Sequence, residues 1–122
     1  MSLNSDLQAL LQSFVTSTPD VEGAVLVSTD GFPLASALAH GADEDRAAAM
    51  GAAALSMGSR IVGELQRGVL EQVLIKGKDG YVILVQAGED TVLEAISTDE
   101  GKLGLLLYEI KYTAREIAKR LR

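Results

Sequence analysis

The chain has 122 residues and a mass of 12.9 kDa, a size that predicts one domain around one core. Apolar residues make up 48% and charged residues 23% of it, which is typical of a globular protein rather than a disordered one. It has no cysteine and one histidine, His40. Disulfides and thiolate metal sites are therefore excluded, and zinc clusters or serine–histidine catalysis have almost nothing to be built from.

The net charge of −6 is distributed unevenly. Residues 1–101 carry 15 acids and 5 bases, whereas residues 102–122 carry 6 bases and 2 acids. An acidic protein surface repels the phosphates of nucleic acids. An aromatic content of 4% without tryptophan also leaves few side chains on which nucleobases could stack. We therefore expect no nucleic-acid partner and a basic last segment on an acidic body.

Targeting and membrane signals are weak. The longest apolar stretch, around Ala47–Gly58, is mostly alanine and falls short of the roughly 20 residues that a membrane span needs. No basic segment precedes an apolar one near the N-terminus, so no signal peptide is predicted. We expect a cytoplasmic protein that does not bind membranes.

The first third of the chain predicts a helix and a hairpin. Four apolar residues recur at helical spacing within a predicted helix over about residues 3–17, which Pro19 closes. Gly23–Thr29 is apolar and β-branched, typical of a strand buried on both faces. Asp30–Gly31 then predicts a hairpin turn, and Pro33–Ala39 the returning strand.

The rest of the chain predicts a long helix, three strands and a last helix. The second helix covers about residues 43–67, with Asp43, Glu44 and Asp45 in its first turn and Gly68 closing it. The last helix covers about residues 100–121, capped by Asp99 or Thr98. Short loops separate three strands between these helices, Val69–Lys76, Tyr81–Ala87 and Thr91–Ser97. The fold class predicted for residues 1–122 is one α+β domain of order αββαβββα, an antiparallel sheet with helices on both faces.

The second helix carries more apolar surface than one core contact needs. Its core face is wholly apolar: Ala47, Gly51, Ala54, Leu55, Gly58, Val62 and Leu65. A second stripe is small and mildly polar: Ala48, Ala52, Ser56, Ser59, Gly63 and Gln66. A third stripe is a Met/Ile seam edged by charges: Arg46, Met50, Ala53, Met57, Arg60, Ile61 and Glu64. The seam could pack under a neighbouring loop, but an exposed apolar stripe with methionines favours an interface.

The strand after this helix supports the same interpretation. Leu70, Val73, Leu74 and Ile75 make it apolar on both faces, and its position after a helix favours the edge of the sheet. A symmetric homodimer that joins sheet edges and packs two second helices together would cover both features. The predicted interface consists of Met50, Ala53, Met57, Arg60, Ile61, Glu64, Leu70, Val73 and Ile75.

The last helix combines a core face with an aromatic and basic outer side. Leu103, Leu106, Leu107, Ile110, Ala114, Ile117 and Leu121 form the core face. Interleaved tyrosines and bases opposite it occur in nucleic-acid binders, but packing of the tyrosines beside the first helix fits the acidic body better. The candidate partner-docking residues are Arg46, Arg67, Tyr108, Tyr112, Arg115 and Lys119.

No motif for an autonomous active site is present. The chain lacks a G-x-G-x-x-G fingerprint, a phosphate-binding loop and an H-E-x-x-H pair. His40 is expected in a solvated loop, and helix capping accounts for the acids at residues 43–45. We therefore predict no catalytic, cofactor or metal site, and a non-enzymatic protein that works through surface contacts.

An ordered set of short motifs spans nearly the whole chain: Phe14, Val21–Val25 (VEGAV), Ser28–Gly31 (STDG), Pro33–Ala35 (PLA), the alanine-rich second helix, Gly68–Val73 (GVLEQV), Asp79–Tyr81 (DGY) and Lys102–Leu105 (KLGL). In this set the chain resembles the Roadblock/dynein-light-chain family, in its short bacterial branch of small-GTPase regulators. The resemblance implies a profilin- or longin-like architecture, with the second helix on one face of the sheet and the terminal helices on the other. It also implies dimerisation through the second helix and the following strand.

The same resemblance implies a partner. Bacterial relatives, including the gliding-motility regulator, bind a Ras-like GTPase and stimulate its hydrolysis by remodelling it, without an arginine finger. Arg60 and Arg67 are therefore not assigned as fingers. The first hypothesis is a homodimeric regulator or scaffold for a Ras-like small GTPase. The alternatives are a structural adaptor in a sensor-kinase or motor-type complex, and a PAS-like small-ligand sensor, which close helix–sheet packing at Gly51, Ala54 and Gly58 disfavours.

Overall fold

The computed structural model describes residues 2–39 and 42–122, and the prediction for His40 lies outside them. The chain forms three helices and a five-stranded antiparallel sheet in the predicted order. The elements are α1 (Leu3–Ser17), β1 (Val21–Ser28), β2 (Pro33–Ala37), α2 (Glu44–Glu64), β3 (Gln72–Gly77), β4 (Gly80–Gln86), β5 (Thr91–Thr98) and α3 (Leu103–Leu121).

The strands lie in the order β2-β1-β5-β4-β3, and each neighbouring pair is antiparallel. The central strand β5 is therefore the last in the sequence, and β2 and β3 are the edges. The sequence prediction that the strand after the second helix lies at an edge is confirmed.

Helices cover both faces of the sheet, but the apolar core on one face is much larger than the core on the other. The larger core lies under α1 and α3, where Leu11, Ile110 and Ile117 pack on Leu26, Leu93 and other buried strand residues. The smaller cluster lies under α2 and consists of Val25, Val27 and Ala48, with Leu38, Ala47 and Ala52 at its margin. Small side chains on α2 thus keep that helix close to the sheet but give it a thin apolar layer.

The helix α1 follows its predicted bounds. The Ser2 hydroxyl accepts from the amide of Ser5 (3.1 Å), which satisfies one of the free amides of the first turn. Leu7, Leu11 and Phe14 are buried along one side. The helix ends at Ser17, and its C-cap Thr18 is extended because a proline disfavours helical geometry at the residue before it.

The predicted end of the second helix was wrong by three residues. The helix ends at Glu64, and Gln66 (φ 58°) takes the left-handed conformation that terminates it, rather than Gly68. The amides of Gln66 and Arg67 donate back to the carbonyls of Gly63 and Val62, at 3.2 and 2.7 Å. This pair of bonds is the Schellman motif, here with glutamine in the position that glycine usually takes.

The starts of β3 and of the last helix each differ from the prediction by three residues. The strand β3 begins at Gln72 instead of Val69, so Val69–Glu71 form a connection. The last helix begins at Leu103, and its N-cap position, Lys102, makes no side-chain capping bond; the predicted caps Asp99 and Thr98 are wrong. Thr98 instead ends β5, and its hydroxyl accepts from the amide of Glu100 (3.4 Å).

Candidate interaction surface

The helix α2 crosses the whole sheet from one edge to the other. At its start Glu44 accepts a hydrogen bond from Ser36 of β2, and Ala48 packs on β1. Further along, Gly51 lies over β5 and β4, and Gly58 lies over β3. The turns that follow Gly58 therefore lie at the β3 edge.

The Met/Ile seam of α2 lies on the side away from the sheet. Met50, Met57 and Ile61 are 64%, 59% and 49% exposed, so no loop among the described residues covers them. Arg60 and Glu64 border the seam as an exposed ion pair with an N···O distance of 3.7 Å. Such a pair contributes little to stability, which leaves both side chains free to rearrange against a partner.

The apolar surface continues past the end of α2 onto the β3 edge. Leu65 and Val69 are 64% and 87% exposed, and Leu74 and Ile75 on β3 are also exposed. The prediction that Leu65 lies on the core face of the second helix is wrong, because the helix ends one residue earlier. The prediction that Val69 lies inside a strand is also wrong, because Val69 precedes β3 and is exposed.

The two edges of the sheet differ in how their backbone is satisfied. At the β2 edge the side-chain amide of Gln8 both donates to the carbonyl of Ser36 and accepts from its amide (3.2 Å). Along β3 the side-chain bond to the backbone is local, from Lys76 Nζ to the next carbonyl, Gly77 (3.2 Å). Among the described residues, no side chain of another element bonds the β3 backbone, so that edge is open to pairing.

The candidate partner-docking residues do not form one patch. Arg46 lies at the start of α2, within 4.0 Å of Asp43, which caps the helix by accepting from the Arg46 amide. Arg67 lies beyond the other end of α2, and its Nε donates to the carbonyl of Leu65 (3.1 Å). The two arginines thus bracket the exposed seam.

The remaining docking candidates lie on α3, on the opposite side of the sheet. Tyr108 and Tyr112 are half exposed or more, and Tyr112 borders a groove between α1 and α3. Lys119 donates to Glu116 (2.9 Å), and this bond lowers the pKa of that carboxyl. The structure therefore presents two separate surfaces, one on α2 and β3 and one on α3.

One buried acid was not singled out by the sequence analysis. Glu94 lies on the central strand β5, is 5% exposed, and its Oε1 has no hydrogen-bond partner. Burial raises the pKa of Glu94 to about 7. A signal for it exists in the sequence: Val92 and Ile96 flank it at the alternate positions, so its side chain shares an apolar face.

The described residues contain no group of three or more His, Cys, Asp or Glu side chains placed to hold a metal ion. In the same part of the chain, no helix combines the length and the apolar character that crossing a bilayer requires. Two of the acids at the start of α2 have structural roles: Asp43 caps the helix, and Glu44 accepts a hydrogen bond from Ser36 of β2.

Solved structures with the same fold include two bacterial proteins. The Roadblock/LC7 domain from Streptomyces avermitilis superposes with a TM-score of 0.87 at 23% identity, covering 93% of this chain and 96% of that chain. The gliding protein MglB from Thermus thermophilus superposes with a TM-score of 0.85 at 18% identity, covering 98% of this chain and 91% of that chain. The fold is thus that of Roadblock-type domains.

Sequence comparison then gives the family. The model of the Roadblock/LC7 domain matches residues 7–98. An uncharacterized protein of Methanocaldococcus jannaschii is 32% identical over 103 residues, which span 84% of this chain and 90% of that protein. The chain belongs to the Roadblock/LC7 family, whose members are regulatory and adaptor domains rather than typical enzymes.

Proposed function

We propose that this protein is a homodimeric regulator or scaffold that binds a Ras-like small GTPase and modulates its nucleotide hydrolysis or exchange. The observation that carries the dimer is the exposed seam of α2, beyond which exposed apolar side chains continue to the open edge of β3. The resemblance to the bacterial branch of the family and the fold shared with MglB support the GTPase as partner.

The dimer interface is assigned to α2 and β3. Two copies related by a two-fold axis would pair their β3 edges into one continuous sheet and pack their seams against each other. Burying a Met, Leu or Ile side chain contributes about 1.5–3 kcal/mol. A two-fold interface buries each of these side chains once from each protomer, so every residue contributes twice. The exposed apolar side chains of α2 and β3 can therefore offset the roughly 4–15 kcal/mol that association costs.

The residues assigned to the interface have distinct roles. Met50, Ala53, Met57 and Ile61 supply its apolar centre, and Arg60 and Glu64 its charged margin. On the strand side, Ile75 lies at the open edge, whereas Leu70 and Val73 contact α2 where Gly58 crosses β3. Leu70 and Val73 therefore support the interface from within the protomer.

The GTPase proposal is tested by mixing the purified protein with a purified Ras-like GTPase from the same genome, loaded with GDP or a GTP analogue. We expect binding that depends on the nucleotide and a changed rate of hydrolysis or nucleotide release. An arginine finger gives about 10³–10⁵ in rate, so replacing a true finger would abolish activation. We expect Arg60→Ala and Arg67→Ala each to keep most of the effect.

Charge reversal on the two surfaces decides where the GTPase docks. Arg46→Glu tests the α2 side, and Arg115→Glu, at a comparably exposed position on α3, tests the other face. We propose the α2 side, because Arg46 and Arg67 lie at the two ends of the seam that the dimer covers, where both stay available to a second partner. Loss of binding in Arg115→Glu alone would move the site to α3. Absence of both binding and a rate change in the unmodified protein would reject the GTPase role and favour the adaptor hypothesis.

A further inference from the structure

The carboxyl of Glu94 is enclosed at the centre of the sheet. In the strand register, Glu94 lies between Val25 of β1 and Leu84 of β4, on the face that α2 covers. It is 5% exposed, and its Oε1 lacks a hydrogen-bond partner among the described residues. A buried carboxyl without a partner is unfavourable in its charged form, because the lost hydration is not replaced.

The space for this carboxyl exists because α2 has a glycine above it. A methyl group at Gly51 would lie 2.9 Å from the carboxyl carbon of Glu94 and 3.2 Å from Cδ2 of Leu84. The first distance is shorter than real Cβ contacts, so a side chain at position 51 would displace either the carboxyl or the helix. Glu94 is therefore in direct contact with the helix to which we assign the dimer interface.

Within residues 2–39 and 42–122, no cation lies against the carboxyl of Glu94. On β1 and β4 its neighbours are Val25 and Leu84, and on β3 the same face carries Val73 and Ile75. The acids on this side of the sheet include Glu44, which bonds Ser36, and Glu71, which lies ahead of β3 near Leu55. Arg67, beyond the end of α2, donates to the carbonyl of Leu65. The remaining charged side chains of α2 are exposed: Asp45, Arg46, Arg60 and Glu64.

We propose that Glu94 makes the contact between α2 and the sheet sensitive to protonation, so that the interface helix is held firmly when this carboxyl is neutral and loosened when it is ionised. The neutral acid fits beneath Gly51 as a small polar group. Among the described residues the carboxylate has no cation to pair with, and its buried Oε1 gains hydration only if α2 lifts and admits water. The thin apolar layer under α2 makes this movement easier than on the opposite face. The effect on association, unlike the effect on folding, rests on the proposed dimer.

The direction of the pH dependence follows from burial. Burial raises the pKa of Glu94 from 4.5 to about 7, so the unfolded chain releases this proton at lower pH than the folded protein does. The stabilising effect of the neutral form is therefore complete below about pH 4.5 and is lost as the pH rises through 7. The folding equilibrium constant should fall by on the order of 100-fold across this interval.

The experiment measures urea unfolding and dimer dissociation of the full chain at fixed concentration between pH 5 and 8.5. The variants are Glu94→Gln, which is similar in shape but cannot ionise, and Glu22→Gln, which changes an exposed strand glutamate. We expect stability to fall with pH in the unmodified protein and in Glu22→Gln, and to be nearly flat in Glu94→Gln. Parallel curves for the unmodified protein and Glu94→Gln would overturn the proposal.

Carboxyl-carbon NMR supplies a readout that does not depend on the stability of any variant. In the unmodified protein, the resonance missing from the Glu94→Gln spectrum should titrate near pH 7, and a midpoint near 4.5 would contradict the proposal. If the protein is monomeric at every pH, the proposed dimer fails. The NMR midpoint and the unfolding curves then still decide the role of Glu94.

A pair of glycine variants on the same helix tests the contact itself. Gly51→Ala should push the carboxyl and α2 apart and lower the NMR midpoint of Glu94 towards 4.5. Gly63→Ala is the matched control, since a methyl group there meets nothing within 4 Å. It should leave the midpoint unchanged. An unchanged midpoint in Gly51→Ala would show that α2 does not control the protonation of Glu94.

Discussion

The two edges of the sheet solve the same physical problem in opposite ways. Each edge strand has backbone amides and carbonyls that a neighbouring strand would otherwise satisfy. At β2 the side chain of Gln8 takes the place of that neighbour and bonds both backbone groups of Ser36. At β3 the backbone has no such cover among the described residues, and exposed apolar side chains surround it. The difference fits the proposed dimer, in which β2 remains an edge and β3 is paired.

The surroundings of the two edges agree with this difference. The helix α1 packs closely along β2, whereas the end of α2 presents Met57, Ile61 and Leu65 beside β3. An exposed apolar edge without protection is a hazard in a monomer, because it pairs with any available strand. Pairing with a second copy removes the hazard and uses the same surface.

The largest effect is expected from a charge at the centre of the open surface. Met57→Glu would place an unpaired carboxylate in the dry middle of the proposed dimer, which costs about 3 kcal/mol and raises the dissociation constant roughly 100-fold. Sedimentation velocity over a concentration series measures this. Tyr112→Glu is the control, because it adds the same charge at a similarly exposed position on α3. Equal dissociation of both variants would place the interface elsewhere.

A smaller effect on the dissociation constant is expected from a lysine on the open edge strand β3. Ile75→Lys should weaken association by about tenfold, since a lysine loses apolar contact but extends its charge into water. Leu34→Lys makes the same kind of change on β2, where Leu34 is also exposed. If the β2 variant dissociates the dimer and the β3 variant does not, the assignment of the two edges is reversed. The measurement is again the dissociation constant, by sedimentation.

The smallest effect is expected from opening the closed edge. Gln8→Ala removes two hydrogen bonds to Ser36 and should lower the free energy of unfolding by about 1 kcal/mol, measured by urea titration. It should also promote association beyond the dimer, because β2 then offers a free backbone. The control is Gln12→Ala, one turn further along α1 and also exposed. A Gln8→Ala protein with unchanged stability and unchanged assembly would show that the cap is dispensable.

Periodic patterns made most of the fold predictable. The 3.6-residue period placed Gly51 and Gly58 correctly on the side of α2 that lies against the strands, but it assigned the buried Ala48 to the second stripe. The order of the elements followed from loop lengths and from apolar runs, and the edge position of β3 from its place after a helix. These features depend on neighbours in the sequence, so the sequence alone determines them.

The features that escaped prediction depend on residues far apart in the chain. Gln8 and Ser36 are 28 positions apart, and no local pattern indicates that a helix side chain covers an edge strand. The end of α2 was misplaced because glycine is the better residue for left-handed geometry, yet Gln66 adopts it. Glu94 has apolar neighbours at the alternate positions of its strand, but the space for its carboxyl depends on Gly51, far away in the chain.

The hydroxyl of Ser36 donates to Glu44 in the first turn of α2, while its backbone bonds Gln8 of α1. One residue therefore ties together a helix on each face of the sheet. Its amide proton should exchange with solvent only when the Gln8 bond opens, which makes it a single-site probe of local opening. The hydrogen-exchange rate at Ser36 would then show whether a change in α2 near the β3 edge also loosens the β2 edge, on the other side of the sheet.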